Sequence, residues 1–244
     1  MCLIFKTPVV LNTNFSERAE VNTATAAWVQ SPEPLVQRRL IERDGGEVAR
    51  ATSIVRYQAG ASFKPHRHDL GEEIFVIEGI FSDELGDYGP GTYLKSPPGS
   101  THAPYSKDGC LLFVKLRHLE LDDQERVVID TRSATWYPGM VTGLTVQPLY
   151  EHGAQNTALV RWAPDTFFKP HRHYGGEEIF VVEGVFEDEH GRYPAGSWLR
   201  NPHMSQHQPF SREGCTIFVK TGHLPVLQNT ASMHGSHQGN DRAA

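Results

Sequence analysis

Apolar positions along this chain come in short runs, not in a helical rhythm. Thr52-Ser-Ile-Val-Arg-Tyr57, Glu73-Ile-Phe-Val-Ile77, Thr92-Tyr-Leu94 and Cys110-Leu-Leu-Phe-Val-Lys115 are rich in β-branched or aromatic side chains. Gly and Pro punctuate between them, at Gly60, Gly71, Gly79, Gly86, Gly89-Pro-Gly91, Pro97-Pro-Gly99 and Gly109. Short strands at regular spacing, with turn residues between them, predict an all-β sandwich or barrel. No long capped segment with a 3.6-residue period interrupts them. The first 50 residues are additional, with strand or arm segments expected around Val9–Asn12 and Pro34–Glu42.

The pattern then repeats. Phe63-Lys-Pro-His-Arg-His68 recurs as Phe168-Lys-Pro-His-Arg-His173, 105 residues on. The same offset holds without a gap from Phe63–Leu119 to Phe168–Leu224, with 33 of 57 pairs identical. A unit of this size is too long for a solenoid repeat and right for a domain, so the chain is two copies of one fold. The expected organisation is an N-terminal arm over 1–29, a first domain over 30–125, a second over 126–224 and a disordered tail over 225–244. Residues 120–135 read as a polar bridge between copies, and the tail is rich in Ser, Gly, Asn and His with few apolar residues.

Composition narrows the function classes. A chain of 244 residues buries a real core without needing disulfides or a metal to fold. Net charge is 23 − 29 = −6, the wrong sign for a phosphate-binding footprint, which argues against nucleic acid as a partner. No apolar run approaches the roughly 20 residues of a membrane span. The start, Met1-Cys-Leu-Ile-Phe-Lys6, has no basic n-region and does not read as a signal peptide. Three separated Cys give no disulfide framework, and a reducing cytoplasm is the expected location. Cys110 and Cys215 occupy equivalent strand positions and read as buried, inert thiols. Histidine, with 13 residues, is the outlier.

His66 and His68 are two apart, so on a strand both imidazoles share a face and Arg67 takes the other. Glu72 follows, and His102 comes 30 residues later on a different strand. The second copy keeps all four, as His171, His173, Glu177 and His207. Three imidazoles and a carboxylate converging inside a barrel suit a divalent transition metal, which predicts two such ions per chain, each Fe, Zn, Ni or Mn. Glu73 and Glu178 are adjacent to the candidate ligands and point the opposite way on a strand, as exposed or ion-paired groups. In the second copy Gly60 becomes Asp165 and Pro97-Pro-Gly99 becomes Pro202-His-Met204, so the ligands persist while the lip changes. The second pocket is expected to be the narrower, with His203 at its border.

These residues carry a family resemblance. Gly60-(x)5-His66-x-His68-(x)3-Glu72-(x)6-Gly79 is similar to the first cupin motif, and Gly91-(x)5-Pro97-x-Gly99-(x)2-His102 to the second. The wider text, GEE-I-FV-x-EG-x-F-x-DE-x-G-x-Y with GC-x-x-FVK, resembles the ChrR cupin-like family, here as a bicupin. That resemblance implies two tandem cupin jelly-roll β-barrels, each with a metal on the HxH pair, the Glu and the later His, and a pocket in the barrel mouth. It also implies two functional classes. One is an Fe(II)- or other metal-dependent oxygenase acting on a small oxygen-bearing substrate. The other is a non-catalytic metal-binding sensor of oxidative stress, akin to the cupin domains of anti-sigma factors. No part of this sequence resembles the helical Cys/His domain through which such factors hold their sigma factor, so direct sigma sequestration is not expected, and the Glu candidate departs from the three-His site of diketone-cleaving relatives. A small-molecule ligand or substrate is expected, with a homodimer and a regulatory protein partner left open, and no individual catalytic residue is named.

Overall fold

The computed structural model describes residues 8–226, which contain strands and turns and no helix. Residues 1–7, and the expected tail from 227 onward, lie outside the described residues. Each copy forms its own antiparallel barrel. In the first, one wall is a broad sheet in which Val36–Gly45, Ala49–Tyr57, Cys110–Leu116, Glu72–Gly79 and Thr92–Ser96 lie side by side. A smaller sheet of Gly86–Tyr88, Phe81–Asp83, Tyr105–Ser106 and Ala61–Ser62 faces it, and His66–His68 pairs with Ser100–His102 at the mouth. The second copy repeats this with Leu144–His152, Gln155–Trp162, Cys215–Thr221, Glu177–Asp188 and Ser197–Asn201.

The inner strands of the broad sheet are covered on both faces, which is why Glu73–Ile77 and Cys110–Lys115 read as short, nearly continuous apolar runs. Along Glu72–Gly79, Ile74 and Val76 point into the barrel with Leu112 and Val114. Phe75, with Phe113 and Tyr93, points the other way, into a core shared with Phe180, Trp198 and Phe218 of the second copy. Phe113 stacks on Phe180 with ring centroids 4.7 Å apart, and Phe75 meets Phe218 at 5.8 Å. Gly79 closes the strand at φ +72, where a Cβ would sit 2.1 Å from the Gly109 carbonyl oxygen, so no other residue fits.

Charges cross the same interface. Lys115 of the first barrel pairs with Glu178 of the second, and Lys220 of the second with Glu73 of the first at 2.9 Å. Lys115 donates to Thr52 Oγ1 at 3.0 Å and Lys220 to Thr157 Oγ1 at 3.3 Å. His118 contacts Glu73 at 2.5 Å and His223 contacts Glu178 at 3.2 Å. All four members of the Lys–Glu pairs are buried. Glu73 and Glu178 are therefore ion-paired, and to the opposite copy. Their carboxyls stay well below the usual carboxylate range: burial opposes ionisation, but the facing lysine and histidine outweigh it.

The copies also exchange strands. Ala19–Asn22, inside the expected arm, pairs with Ser197–Asn201 of the second barrel, Val21 opposite Trp198. Val127–Asp130, inside the expected polar bridge, pairs with Thr92–Ser96 of the first, Ile129 opposite Tyr93. At equivalent positions, a fully buried cation pins each exchanged segment. Lys95 binds Asp123 and the Glu125 carbonyl oxygen, while Arg200 binds Glu42 and the Asn12 and Asn14 carbonyl oxygens. Ala19–Asn22 carries too few apolar residues for period alone to reveal it, and Val127-Val-Ile-Asp130 is apolar but only four residues long within a charged stretch; the partner sheet supplies the other half of the pattern.

Removing one member of a buried pair strands the other's charge. Lys220→Met is expected to lower unfolding free energy by about 3–5 kcal/mol. The double change Glu73→Leu with Lys220→Met should recover most of the loss. Urea unfolding checks both, and wild-type stability for Lys220→Met alone would refute the role given to the cross-barrel pair.

Candidate metal centres

The strand His66–His68 pairs in register with Ser100–His102, His66 opposite His102 and Ser100 opposite His68. His66 and His68 turn inward and Arg67 outward, as the alternation requires. His66, His68 and His102 offer nitrogens that all lie within 4.8 Å of one another, and His68 Nε2 is 2.9 Å from His102 Nε2. The Lys64 carbonyl oxygen lies 2.9 Å from His66 Nδ1, and holding the proton there leaves Nε2 as the free lone pair.

Glu72 opens the next strand and is buried. Its Oε2 lies 3.5 Å from the Nε2 of both His68 and His102 and has no hydrogen-bond partner. A buried, unsatisfied carboxylate oxygen aimed at imidazole nitrogens is an environment that a cation completes. Burial also sets the protonation states. It pulls the His68 imidazole down to about 4, with His66 adding to the effect, and it lowers His102. Neutral imidazole is the metal-binding form. Burial pushes the Glu72 carboxyl up, against the opposing pull of His102 and His66.

The second barrel gathers His171, His173 and His207 in the same way, with His173 Nε2 3.1 Å from His207 Nε2. Glu177 lies 3.4 Å from His173 and 3.5 Å from His207. One difference is direct: Asn201 donates to Glu177 Oε2 at 2.9 Å, where the first barrel has Ser96 at the equivalent place. Burial lowers His171 and His173. For His207 burial acts in the same sense, but the Asp188 and Glu177 carboxylates overcome it and raise the imidazole. The structure thus brings the three histidines and the glutamate of each copy together and turns Glu73 and Glu178 away.

Sequence reasoning missed the groups behind the histidines. Asp83 lies 3.7 Å from His102 Nδ1 and accepts from the Tyr88 hydroxyl at 2.9 Å; Asp188 and Tyr193 repeat this at 3.8 and 3.0 Å. Their signal was present, because Asp-Glu-x-Gly-x-Tyr occurs in both copies. His203 is occupied elsewhere: its Nδ1 accepts from Gly175 N at 2.9 Å and its ring packs on Tyr174. Cys110 and Cys215 are buried and unbridged, and burial pushes their thiols up to about 11 and about 12, which makes them poor nucleophiles.

The lips differ in residue, not in backbone. Gly99 has φ +86 and Met204 keeps φ +61, while Gly60 has φ +79 and Asp165 φ +57. Holding a left-handed conformation at Met204 costs about 1–2 kcal/mol. Behind the first lip is a cavity of about 360 Å³, lined by Tyr57, Phe63, Phe81 and Leu112 and bordered by the triad and Glu72. In the second barrel, Trp162 and Leu144 pair where Tyr57 and Val36 pair in the first, so bulkier side chains occupy the matching space.

A family model described as the ChrR cupin-like domain matches residues 16–120 and again 124–225. The chain belongs to that family. This bicupin also resembles many solved structures. A protein from Nostoc punctiforme provisionally named a dioxygenase shares 14% identity at a TM-score of 0.70, over 84% of this chain and 82% of that one. A provisionally named glyoxylate-induced protein from Pseudomonas aeruginosa shares 13% at 0.69, over 91% and 94%. The oxalate decarboxylase of Lactobacillus farciminis, in a formate complex, shares 13% at 0.58, over 85% and 86%. At such identities the likeness shows the fold alone. No curated protein matches the sequence. Among the described residues no helix is long and apolar enough to cross a membrane.

The buried histidines make the metal-free protein acid-sensitive. His68 and His223 sit at about 4 and His118 at about 3, all lowered chiefly by burial. In the unfolded chain they take up protons near pH 6.5, which the folded chain refuses until well below, so acid favours unfolding. Their contribution is complete above pH 6.5 and is lost progressively as pH falls toward 4; the raised His207 acts oppositely but is one group against several. In chelator, the melting temperature of the bicupin should fall steadily from pH 7 to pH 5. A flat or rising profile would contradict the burial of these neutral imidazoles.

Proposed function

We propose that this bicupin is a divalent-metal protein whose first barrel carries out an oxygenase reaction on a small organic substrate with chelating oxygens. The observation that carries the reading is the junction of His66, His68, His102 and Glu72 with a cavity of about 360 Å³. Those four residues would hold an ion such as iron, zinc, nickel or manganese, which would supply a Lewis-acidic point beside the cavity for a substrate oxygen. When bound, the metal supplies Lewis acidity and, if it is iron, redox chemistry toward dioxygen. The chain's residues do the remainder. His66, His68 and His102 present ring nitrogens, those of His68 and His102 kept neutral by burial, and Tyr57, Phe63, Phe81 and Leu112 exclude water and hold an apolar substrate body. Glu72, whose carboxyl burial pushes up, would be the group to accept a substrate proton beside the triad.

His171, His173, Glu177 and His207 would hold the second ion in a more filled barrel, where Met204 and His203 replace Gly99 and Pro98 at the lip. Turnover is therefore assigned to the first barrel. The provisional name of the Nostoc neighbour supports an oxygenase, and the oxalate decarboxylase shows another chemistry on a related fold.

Anaerobically reconstituted protein should contain about two transition-metal ions per chain, and His66→Ala or His102→Ala should remove one. Oxygen uptake measured against diketones, enols and catechols should be abolished by His68→Ala and largely retained in His173→Ala. Equal loss from both would refute the assignment to the first barrel. Metal binding without uptake on any substrate would overturn the oxygenase reading in favour of sensing.

A further inference from the structure

Behind each triad runs a chain of polar contacts that ends on the segment exchanged from the other copy. In the first barrel His102 Nδ1 faces Asp83 Oδ2 at 3.7 Å, and Asp83 Oδ1 accepts from the Tyr88 hydroxyl at 2.9 Å. The Tyr88 hydroxyl oxygen in turn accepts from Arg126 Nη2 at 2.9 Å. Arg126 directly precedes Val127–Asp130, the strand that joins the first barrel from the second copy. In the second barrel His207 faces Asp188 at 3.8 Å, Tyr193 donates to Asp188 at 3.0 Å, and Arg18 Nη2 donates to Tyr193 at 2.6 Å. Arg18 directly precedes Ala19–Asn22, the strand that the first copy lends to the second barrel. Glu17-Arg18 and Glu125-Arg126 are the same dipeptide at the same station, although little else in the flanking segments matches.

We infer that Arg126 and Arg18 are positioning residues for the metal centres, each serving the barrel opposite to the copy that carries it. The inference rests on reading the triads as metal sites. The physical route is orientation. A guanidinium bond to the phenol oxygen polarises the tyrosine O–H, which strengthens its bond to the aspartate and fixes that carboxylate's rotamer. The fixed carboxylate favours the Nδ1–H tautomer of the histidine and points its Nε2 lone pair at the metal, the role that outer carboxylates play at histidine ligands. Arg18 also lies 3.5 Å from Asp188 Oδ2, whereas Arg126 acts on Asp83 through Tyr88. Neither arginine touches a histidine, so each works at a distance from the ion. The exchange of strands thereby makes each metal centre depend on the correct docking of the other copy.

Cobalt(II) tests this with a readout independent of turnover: visible absorption, with chelator competition giving the affinity. The full chain is titrated in a His171→Ala/His173→Ala background, which leaves the first site, and in a His66→Ala/His68→Ala background, which leaves the second. Arg126→Gln should weaken cobalt at the first site about tenfold, the low end for outer-sphere changes, and leave the second within about twofold. Arg18→Gln should do the reverse. Arg126→Lys should recover part of the loss, and adding Arg126→Gln to Tyr88→Phe should cost nothing beyond Tyr88→Phe. Unchanged affinity at the first site for Arg126→Gln overturns the inference. So does an equal loss at both sites with a lowered melting temperature, which marks a structural role alone. Absence of cobalt binding in the unmodified protein would remove the metal reading itself, a separate failure visible before any arginine is changed.

Discussion

The buried Lys–Glu pairs between the barrels are the constraint on which the other features depend. Each carboxylate lies in one copy and its ammonium in the other, and desolvating any of these charges alone would cost several kcal/mol. Neither barrel can present this face to its partner without the reciprocal charge. The pairing also fixes the register of the strands that carry Glu72 and Glu177. Glu72 and Glu73 are consecutive, so the pleat sends one toward the triad and the other toward Lys220. A slip of one residue would put Glu73 among the histidines and leave Lys220 unpaired. Interface and site are two faces of one strand.

The same arrangement explains how a duplicated chain keeps two similar centres inside different surroundings. The candidate ligands depend on the strand pleat and on the paired His66–His68 and Ser100–His102 segments, which both copies retain. The lips and barrel interiors depend on side-chain volume, where Trp162, Leu144 and Met204 depart from Tyr57, Val36 and Gly99. Asp165 and Met204 hold the left-handed backbone of the glycines they replace, so the turn survives its substitution at a local cost. Loop conformation is therefore held by the surrounding sheet and not by the turn residue.

Much of the fold could be read in the residues. Fixed offset and identity gave the duplication, short apolar runs between glycines gave the β class, and the histidine and glutamate spacing gave both triads with their adjacent carboxylates. The groups behind the histidines were harder to find. Asp83 and Tyr88 stand five residues apart in a hairpin, and their approach to His102 depends on the pairing of Ser82 with Tyr105, 23 residues further along. Arg126 and Arg18 carried only a faint signal, a Glu-Arg dipeptide repeated outside the gap-free repeat, because a single arginine beside a short strand is ordinary surface composition.

Local chemistry that repeats with period two or within a tight motif was determined by sequence alone: strand identity, inward-facing histidines, a glutamate one side of the pleat and its neighbour on the other. Tertiary structure alone decided which copy answers each charge. Lys115 lies beside Glu73 in its own sheet, yet it pairs with Glu178 across the interface. It likewise decided that residues 19–22 and 127–130 complete the opposite barrel. The physical reason is that a sheet edge is satisfied by any strand with a free row of N–H and C=O groups, and buried charges by any counter-charge in reach. Which strand and which charge arrive is set by the packing of the two barrels, a property that no single segment encodes.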